Sequence, residues 1–325
     1  MNNSACDQKN ITKLYMAPME EITGYIFRNV QNEMFGYVDK YFSPFITPTE
    51  SMKLKPREIK DILDSNNEGI YLVPQLLTND SELFIKGVEL LMNRGYFEIN
   101  LNLGCPSNTV AKKGKGSGFL AFPEELDRFF ENVFKRLGDD NIEVDISVKT
   151  RLGMHSEEEF DSILPIFNRY PISELIVHPR VKDDMYSNYI RMEKFDLAYK
   201  NSKSNIVYNG DIYTYKDAIN ILSKYPNCGL MMGRGAVANP GIFREIVTGK
   251  KITNSELLEF HDKLYNSYAE TLGVKDAFFK MKEVWNNMQY MFDNDKLSHK
   301  IRICKEPDKM MELAHKMISE EEIIR

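Results

Sequence analysis

Long hydrophobic runs are missing from this 325-residue chain. A membrane helix needs roughly 20 consecutive apolar residues, and no stretch comes near that. The first 13 residues are polar and lack the apolar core of a secretory signal. A soluble, cytoplasmic protein is therefore expected, with no membrane partner. Cysteine is scarce as well: Cys6, Cys105, Cys228 and Cys304 stand far apart, without a Cys-x-x-Cys pair or a histidine nearby at metal-ligand spacing. That pattern argues against a disulfide framework and a structural zinc site, and no metal is expected. Positive charge is not in excess either. With 42 Lys and Arg against 48 Asp and Glu, the formal net charge is −6. Such a chain does not coat nucleic acid indiscriminately, although local basic patches can still meet a polyanion.

What the chain does have is 42% hydrophobic residues, over enough length to fill one large domain and an appendage. From residue 14 to about residue 246, short apolar or alternating runs recur between longer amphipathic stretches, the mark of repeated βα units around a parallel sheet. Strands are expected at 14–17, 37–42, 70–75, 97–101, 144–149, 174–178, 206–208 and 229–232, with helical patterns such as 81–93, 123–136 and 157–169 between many of them. Eight strands over this length fit a TIM (β/α)8 barrel. After Gly249 the strand pattern ends, and amphipathic helices are expected at 254–272, 276–292 and 307–318. Thr253 before Asn254 supplies a helix N-cap. The expected division is a polar tail (1–13), a barrel (14–248) and a small helical domain (249–325).

In such a barrel the chemistry sits at the C-terminal ends of the strands, and residues with chemical handles follow nearly every expected strand. Pro18, Met19 and Glu20 follow the first, and Gln75 closes the third. Asn102 and Cys105 stand at the fourth, Lys149 and Arg151 at the fifth, and His178 at the sixth. Asn209, Gly210 and Asp211 follow the seventh, and Gly233, Arg234 and Gly235 the eighth. Loops after the last two strands commonly form a phosphate site, where glycine lets backbone N–H groups approach and arginine adds charge. Cys228, at the start of an apolar strand, and Cys304 read as small packing residues. His178 also reads as an ordinary buried histidine, and Asn209 and Asp211 as turn residues around Gly210.

Taken in order, several blocks resemble the tRNA-dihydrouridine synthase family across residues 14–245. They are Ala17-Pro-Met19, Pro74-Gln75, Asn102-Leu-Gly-Cys-Pro106, Lys112-Lys-Gly-Lys-Gly-Ser-Gly118, Val148-Lys-Thr-Arg-Leu-Gly153, Val177-His178, Asn209-Gly-Asp-Ile212 and Met232-Gly-Arg-Gly235. The C-terminal helices resemble the family's tRNA-binding domain more loosely. The resemblance implies an FMN-bearing barrel, reduced by NADPH or NADH, that reduces the C5=C6 bond of uridine in tRNA. It also implies Cys105 as proton donor to C5. A thiol with an ordinary pKa of about 8.5 is mostly protonated at neutral pH and suits a general acid. Pro18, Met19, Glu20, Gln75, Lys149, His178, Asn209, Gly210, Asp211, Gly233 and Arg234 are then the expected flavin set, with Asn102 and Arg151 at the substrate. Lys149 suits the flavin edge where negative charge collects on reduction.

The basic loop with Lys112, Lys113 and Lys115 is expected at RNA phosphates. Between residues 275 and 305, seven basic against four acidic residues leave a local charge of +3. Lys280, Lys282, Lys300 and Arg302 are therefore expected to hold RNA too. Two other readings stay open on the residues alone: another FMN barrel acting on a small molecule, dihydroorotate dehydrogenase-like, and a barrel that binds RNA without catalysis.

Overall fold

A computed structural model describes residues 12–324. Its strands are β1 (Leu14–Met16), β2 (Lys40–Phe42), β3 (Leu72–Val73), β4 (Gln75–Leu76), β5 (Glu98–Leu103), β6 (Asp145–Arg151), β7 (Glu174–His178), β8 (Asn205–Tyr208) and β9 (Gly229–Met232). They form one sheet in the order β3-β2-β1-β9-β8-β7-β6-β5-β4, and every pairing is parallel. β3 and β4 flank Pro74, which has no N–H to offer a ladder. Its carbonyl still accepts from Asn100 N at 2.9 Å. The two short strands are thus halves of one stave, and the sheet's ends meet at Pro74. The result is the eight-staved TIM barrel that the βα alternation predicts.

Period-two alternation sends every second side chain inward. Tyr15, Ala17, Phe42, Val73, Ile176, Val207 and Met231 form an apolar cluster of their own inside the barrel. Ile99, Leu101, Leu103, Ile146 and Val148 belong to the larger core outside the staves, under the helices. The residues between them, Asn100, Asn102, Ser147 and Lys149, therefore face the interior. At the base of the barrel Lys40 Nζ bridges Glu98 (2.8 Å) and Glu174 (3.0 Å), and the Tyr15 hydroxyl donates to Glu174 at 2.5 Å.

Beyond β9 the chain is helical. Asn254–Leu272 starts as predicted: the Thr253 hydroxyl accepts from Glu256 N at 3.2 Å. The 276–292 pattern becomes Val274–Met288 with a 3-10 turn, Gln289–Met291, and the 307–318 pattern becomes Pro307–Glu320. The helix Asp295–Ile303 was not predicted. These helices share a continuous core with the barrel. Phe260, for example, packs edge-on against Phe27 of the helix Tyr25–Met34, with ring centroids 5.7 Å apart. Among the described residues no helix is long and apolar enough to cross a membrane.

Candidate active site

The C-terminal mouth of the barrel is a cavity lined by ten of the residues expected there: Pro18, Met19, Lys149, Arg151, His178, Asn209, Gly210, Asp211, Gly233 and Arg234. They come from β1, β6, β7, β8 and β9 and the turns that follow. Lys149 has no hydrogen-bond or ion-pair partner among the described residues. Burial first, and then the neighbouring Arg151, pull its ammonium down to about 7. An unpaired cation that the protein holds at such cost is a place for an anionic group.

At the same mouth, two guanidiniums share one carboxylate. Arg180 donates to both oxygens of Asp211, at 3.1 and 2.5 Å, and Arg234 to one at 2.5 Å. Asp211 adopts a left-handed backbone, φ +34°, a conformation that costs free energy in a non-glycine residue and persists where neighbours fix it. The two arginines do so here. Arg180 also donates toward His178 Nε2 at 3.2 Å, which places the histidine's proton on Nδ1. Burial, followed by Arg151, Lys149, Arg180 and Arg234, pushes the His178 pKa well down, so its ring is neutral. Asn209 is tied to the frame, donating to Met231 O at 2.9 Å. After β9 the chain turns directly into the helix Arg234–Ala238. A Cβ on Gly235 would lie 1.8 Å from Ile212 O, so this turn closes only with glycine.

Arg151, expected at the substrate, is spent mostly on structure. It is buried and donates to the carbonyls of Gly104 (3.0 Å), Val181 (2.8 Å) and Met185 (2.7 Å). It thereby pins the turn before Cys105 to the loop after β7. Gln75 and Asn102 do not line the mouth. Both are buried beneath it, with the Asn102 amide donating to Gln75 Oε1 at 2.7 Å. Glu20 turns away as well, into the groove between the barrel and the C-terminal helices, where it accepts from Arg57 at 2.5 Å.

Cys105 follows Gly104 on the rim and is half-buried. Its N–H donates to Asn102 Oδ1 at 2.9 Å, and its carbonyl accepts from the Ser117 hydroxyl at 2.7 Å. Gly116 has φ +58°, and a Cβ there would come within 3.0 Å of both Cβ and O of Cys105, which is why glycine packs the basic loop onto the cysteine. Burial raises the thiol pKa above its ordinary value, so the group is protonated at neutral pH.

In the basic loop Lys112 and Lys113 are exposed and Lys115 is half-buried. None has an ion-pair partner among the described residues. The four C-terminal cations divide. Lys280 donates to Glu21 O (2.6 Å) and Glu21 Oε2 (2.7 Å), and Lys282 to Cys304 O (2.7 Å). Both are engaged within the protein, unlike the other two of the four expected to hold RNA. Lys300 and Arg302 are exposed on the helix Asp295–Ile303.

Sequence reasoning missed Tyr186 and Tyr213, which line the mouth, and the pairing role of Arg180. Tyr186 stacks on His178 (6.1 Å between ring centroids) and lies under Arg151 (5.2 Å) and Arg234 (4.7 Å). It sits in an irregular loop, where no periodicity marks it. His261, Asp262 and His315 come together among the described residues with metal-ligand atoms in range. The Trp285 indole donates to His261 Nε2 at 3.1 Å, so Nδ1 carries the proton and donates to Asp262. With both ring nitrogens engaged, the group is a hydrogen-bonded node under the helices.

Comparison with known proteins agrees with this geometry. The model of the dihydrouridine synthase (Dus) family matches residues 15–322. A probable tRNA-dihydrouridine synthase of Staphylococcus aureus (strain N315) is 32% identical over 265 residues, covering 78% of this chain and 77% of its own. The tRNA-dihydrouridine synthase B of Shewanella oneidensis is 28% identical over 286 residues, covering 82% and 84%. Among solved structures, morphinone reductase has a TM-score of 0.52 at 10% identity, covering 74% of this chain and 86% of its own. Histamine dehydrogenase from Rhizobium sp. 4-9 has a TM-score of 0.53 at 12% identity, covering 77% and 49%. Both share the barrel fold. The sequence match spans nearly the whole described chain, and the chain belongs to the dihydrouridine synthase family, flavin-dependent oxidoreductases that act on tRNA.

Proposed function

We propose that this protein reduces the C5=C6 bond of uridine in tRNA to 5,6-dihydrouridine, using FMN reduced by NADPH, with Cys105 as the proton donor. The observation that carries the reading is a protonated, half-buried thiol on the rim of a mouth that holds an unpaired ammonium. The mouth suits FMN in its donor set. Lys149 would face the part of the isoalloxazine that becomes anionic on reduction, and Arg234 with the turn at Gly233 would take the phosphate. Bound reduced flavin supplies the hydride, which goes to C6, the carbon conjugated to the C4 carbonyl.

Cys105 gives its proton to C5, and the thiolate left behind regains one from solvent. The neutral His178 ring adds a donor without adding charge. Lys112, Lys113 and Lys115 hold phosphates beside the flipped uridine, and Lys300 and Arg302 hold the tRNA further out. Replacing Cys105 by Ala removes only the proton. The variant should remain yellow and oxidise NADPH with oxygen, while dihydrouridine formation falls by about 10²–10⁴-fold. Quantifying dihydrouridine in tRNA by nucleoside mass spectrometry measures this. Wild-type rates in the variant would reassign Cys105 to packing.

A further inference from the structure

The inside of the barrel is divided in a way that packing alone does not require. Between its polar base and its mouth, the strands β1, β2, β3, β7, β8 and β9 fill it with apolar side chains, as barrels of this kind usually do. The strands β4, β5 and β6 instead send in Gln75, Asn100, Asn102 and Ser147, all of them buried. Four polar side chains in a barrel interior are tolerable only when they satisfy one another, and here they do so in one unbranched row. Asn102 Nδ2 donates to Gln75 Oε1 at 2.7 Å. Gln75 Nε2 donates to Asn100 Oδ1 at 2.7 Å. Asn100 Nδ2 donates to Ser147 Oγ at 2.9 Å.

The direction of this row is fixed from one end. Gly104 and Cys105 present backbone N–H groups, which can only donate, and both point at Asn102 Oδ1, at 3.0 and 2.9 Å. Asn102 must therefore turn its NH2 toward Gln75, Gln75 must answer with its carbonyl oxygen, and its NH2 must seek an acceptor. Asn100 Oδ1 is that acceptor. Rotating the Asn100 amide by half a turn would set NH2 against NH2 and unlock each link up to the cysteine. Asn100 lies below the mouth, two residues down the strand from Asn102, and Ser147 is its register partner on β6. An apolar pair at these two positions would simply continue the core.

We propose that Asn100 and Ser147 are positioning residues for the acid. By accepting at the far end of the row they keep Gln75 and Asn102 in the one orientation that the Gly104 and Cys105 N–H groups require, and so hold the turn and its thiol at one place on the rim. The proposal rests on Cys105 being the proton donor.

The test compares Asn100→Leu, Asn100→Asp, Ser147→Ala and Cys105→Ala in the FMN-loaded protein. Two anaerobic single turnovers are measured, flavin reduction by NADPH and flavin reoxidation by tRNA, together with the rate of iodoacetamide alkylation at Cys105. Asn100→Leu keeps the shape and removes the acceptor. Reoxidation by tRNA should slow by about tenfold or more, on the scale of losing a placed general acid, while reduction by NADPH changes less than about twofold and alkylation of the released thiol quickens. Asn100→Asp should recover most of the lost rate, because its carboxylate accepts from Gln75 Nε2 and from the Ser147 hydroxyl. Ser147→Ala should fall between the two.

Asn100→Leu at wild-type rates would overturn the proposal, as would Asn100→Asp as slow as Asn100→Leu with full flavin content. If Asn100→Leu loses its flavin, the order of wild type, Asn100→Asp and Ser147→Ala decides instead, and equal rates in all three would overturn it. Cys105→Ala separates the two ideas. Fast reoxidation in that variant sinks the acid itself, whereas slow reoxidation there with fast Asn100→Leu sinks only the positioning row.

Discussion

Lys149 sets the terms at the scale of single residues. Its ammonium is lowered from the ordinary 10.5 to about 7 by burial and then by Arg151, so the unfolded chain holds that proton more tightly than the folded one. The penalty on folding is fully present below about pH 7 and is gone above about 10.5. Stability of the flavin-free protein should therefore rise through this window by an increment that Lys149→Met lacks. Urea midpoints of both proteins between pH 7 and 10 give the difference, and parallel curves would show that Lys149 titrates as an ordinary lysine. With flavin bound, the same variant should carry a more negative two-electron potential, each 30 mV being about 1.4 kcal/mol. Lys149 was legible in the sequence because it closes an apolar strand of a barrel, and so were His178 and Cys105. The engagement of Arg151, Gln75 and Asn102 with the backbone and with each other was not. Which face of a strand end looks up and which looks inward depends on stagger between staves, and no single strand records that.

Elements were legible where a local signal fixes their ends. The helix Asn254–Leu272 begins where Thr253 caps it, and Glu256 closes the capping box by accepting from Thr253 N at 3.0 Å. Glu256 also receives both terminal nitrogens of Arg244, at 2.8 and 2.9 Å, which tie the helix Ile242–Thr248 to the one after it. Arg244 leads the groups that lower the Glu256 carboxyl to about 2, so its stabilising effect is present above the ordinary carboxylate range and fades as pH falls toward 2. Thr253→Ala should cost about 1 kcal/mol, roughly 1–2 °C in Tm for a chain of this size, with FMN content unchanged. Calorimetry at pH 7 measures it, and an unchanged Tm would mean the cap is dispensable. Asp295–Ile303 was missed for the opposite reason. It is nine residues long, its buried residues are only Leu297, Ser298 and Ile301, and that is too short an apolar stripe to stand out among its lysines and arginine. The stave broken at Pro74 looks like one strand in the sequence, because a proline inside a short apolar run shortens the ladder without moving the chain.

The charge of the whole molecule, −6, must be reconciled with a polyanionic substrate. The groove between the barrel and the C-terminal helices is not a plain cationic channel. Its lining sets Glu20, Glu21 and Asp61 among Arg57, Lys280 and Arg302. Arg57 pairs with Glu20 and Glu21, and Lys280 with Glu21, so part of the positive charge counted along the chain is already neutralised within the protein and joins helix Val274–Met288 to the barrel. Lys300 and Arg302 are different in kind, exposed and without ion pairs among the described residues. A cation that meets phosphate releases counterions and adds to the salt dependence of binding, whereas one that ties two elements together adds to stability. Replacing Lys300 and Arg302 by Gln should therefore weaken tRNA binding and lower the slope of log K against log salt by roughly 0.7–0.9 for each phosphate left without its cation. Lys280→Gln should leave that slope nearly unchanged and lower Tm instead. Filter binding at several salt concentrations, beside calorimetry, reads both. A slope that falls for Lys280→Gln and holds for the double variant would invert the assignment and place the RNA along the Arg57 side of the groove.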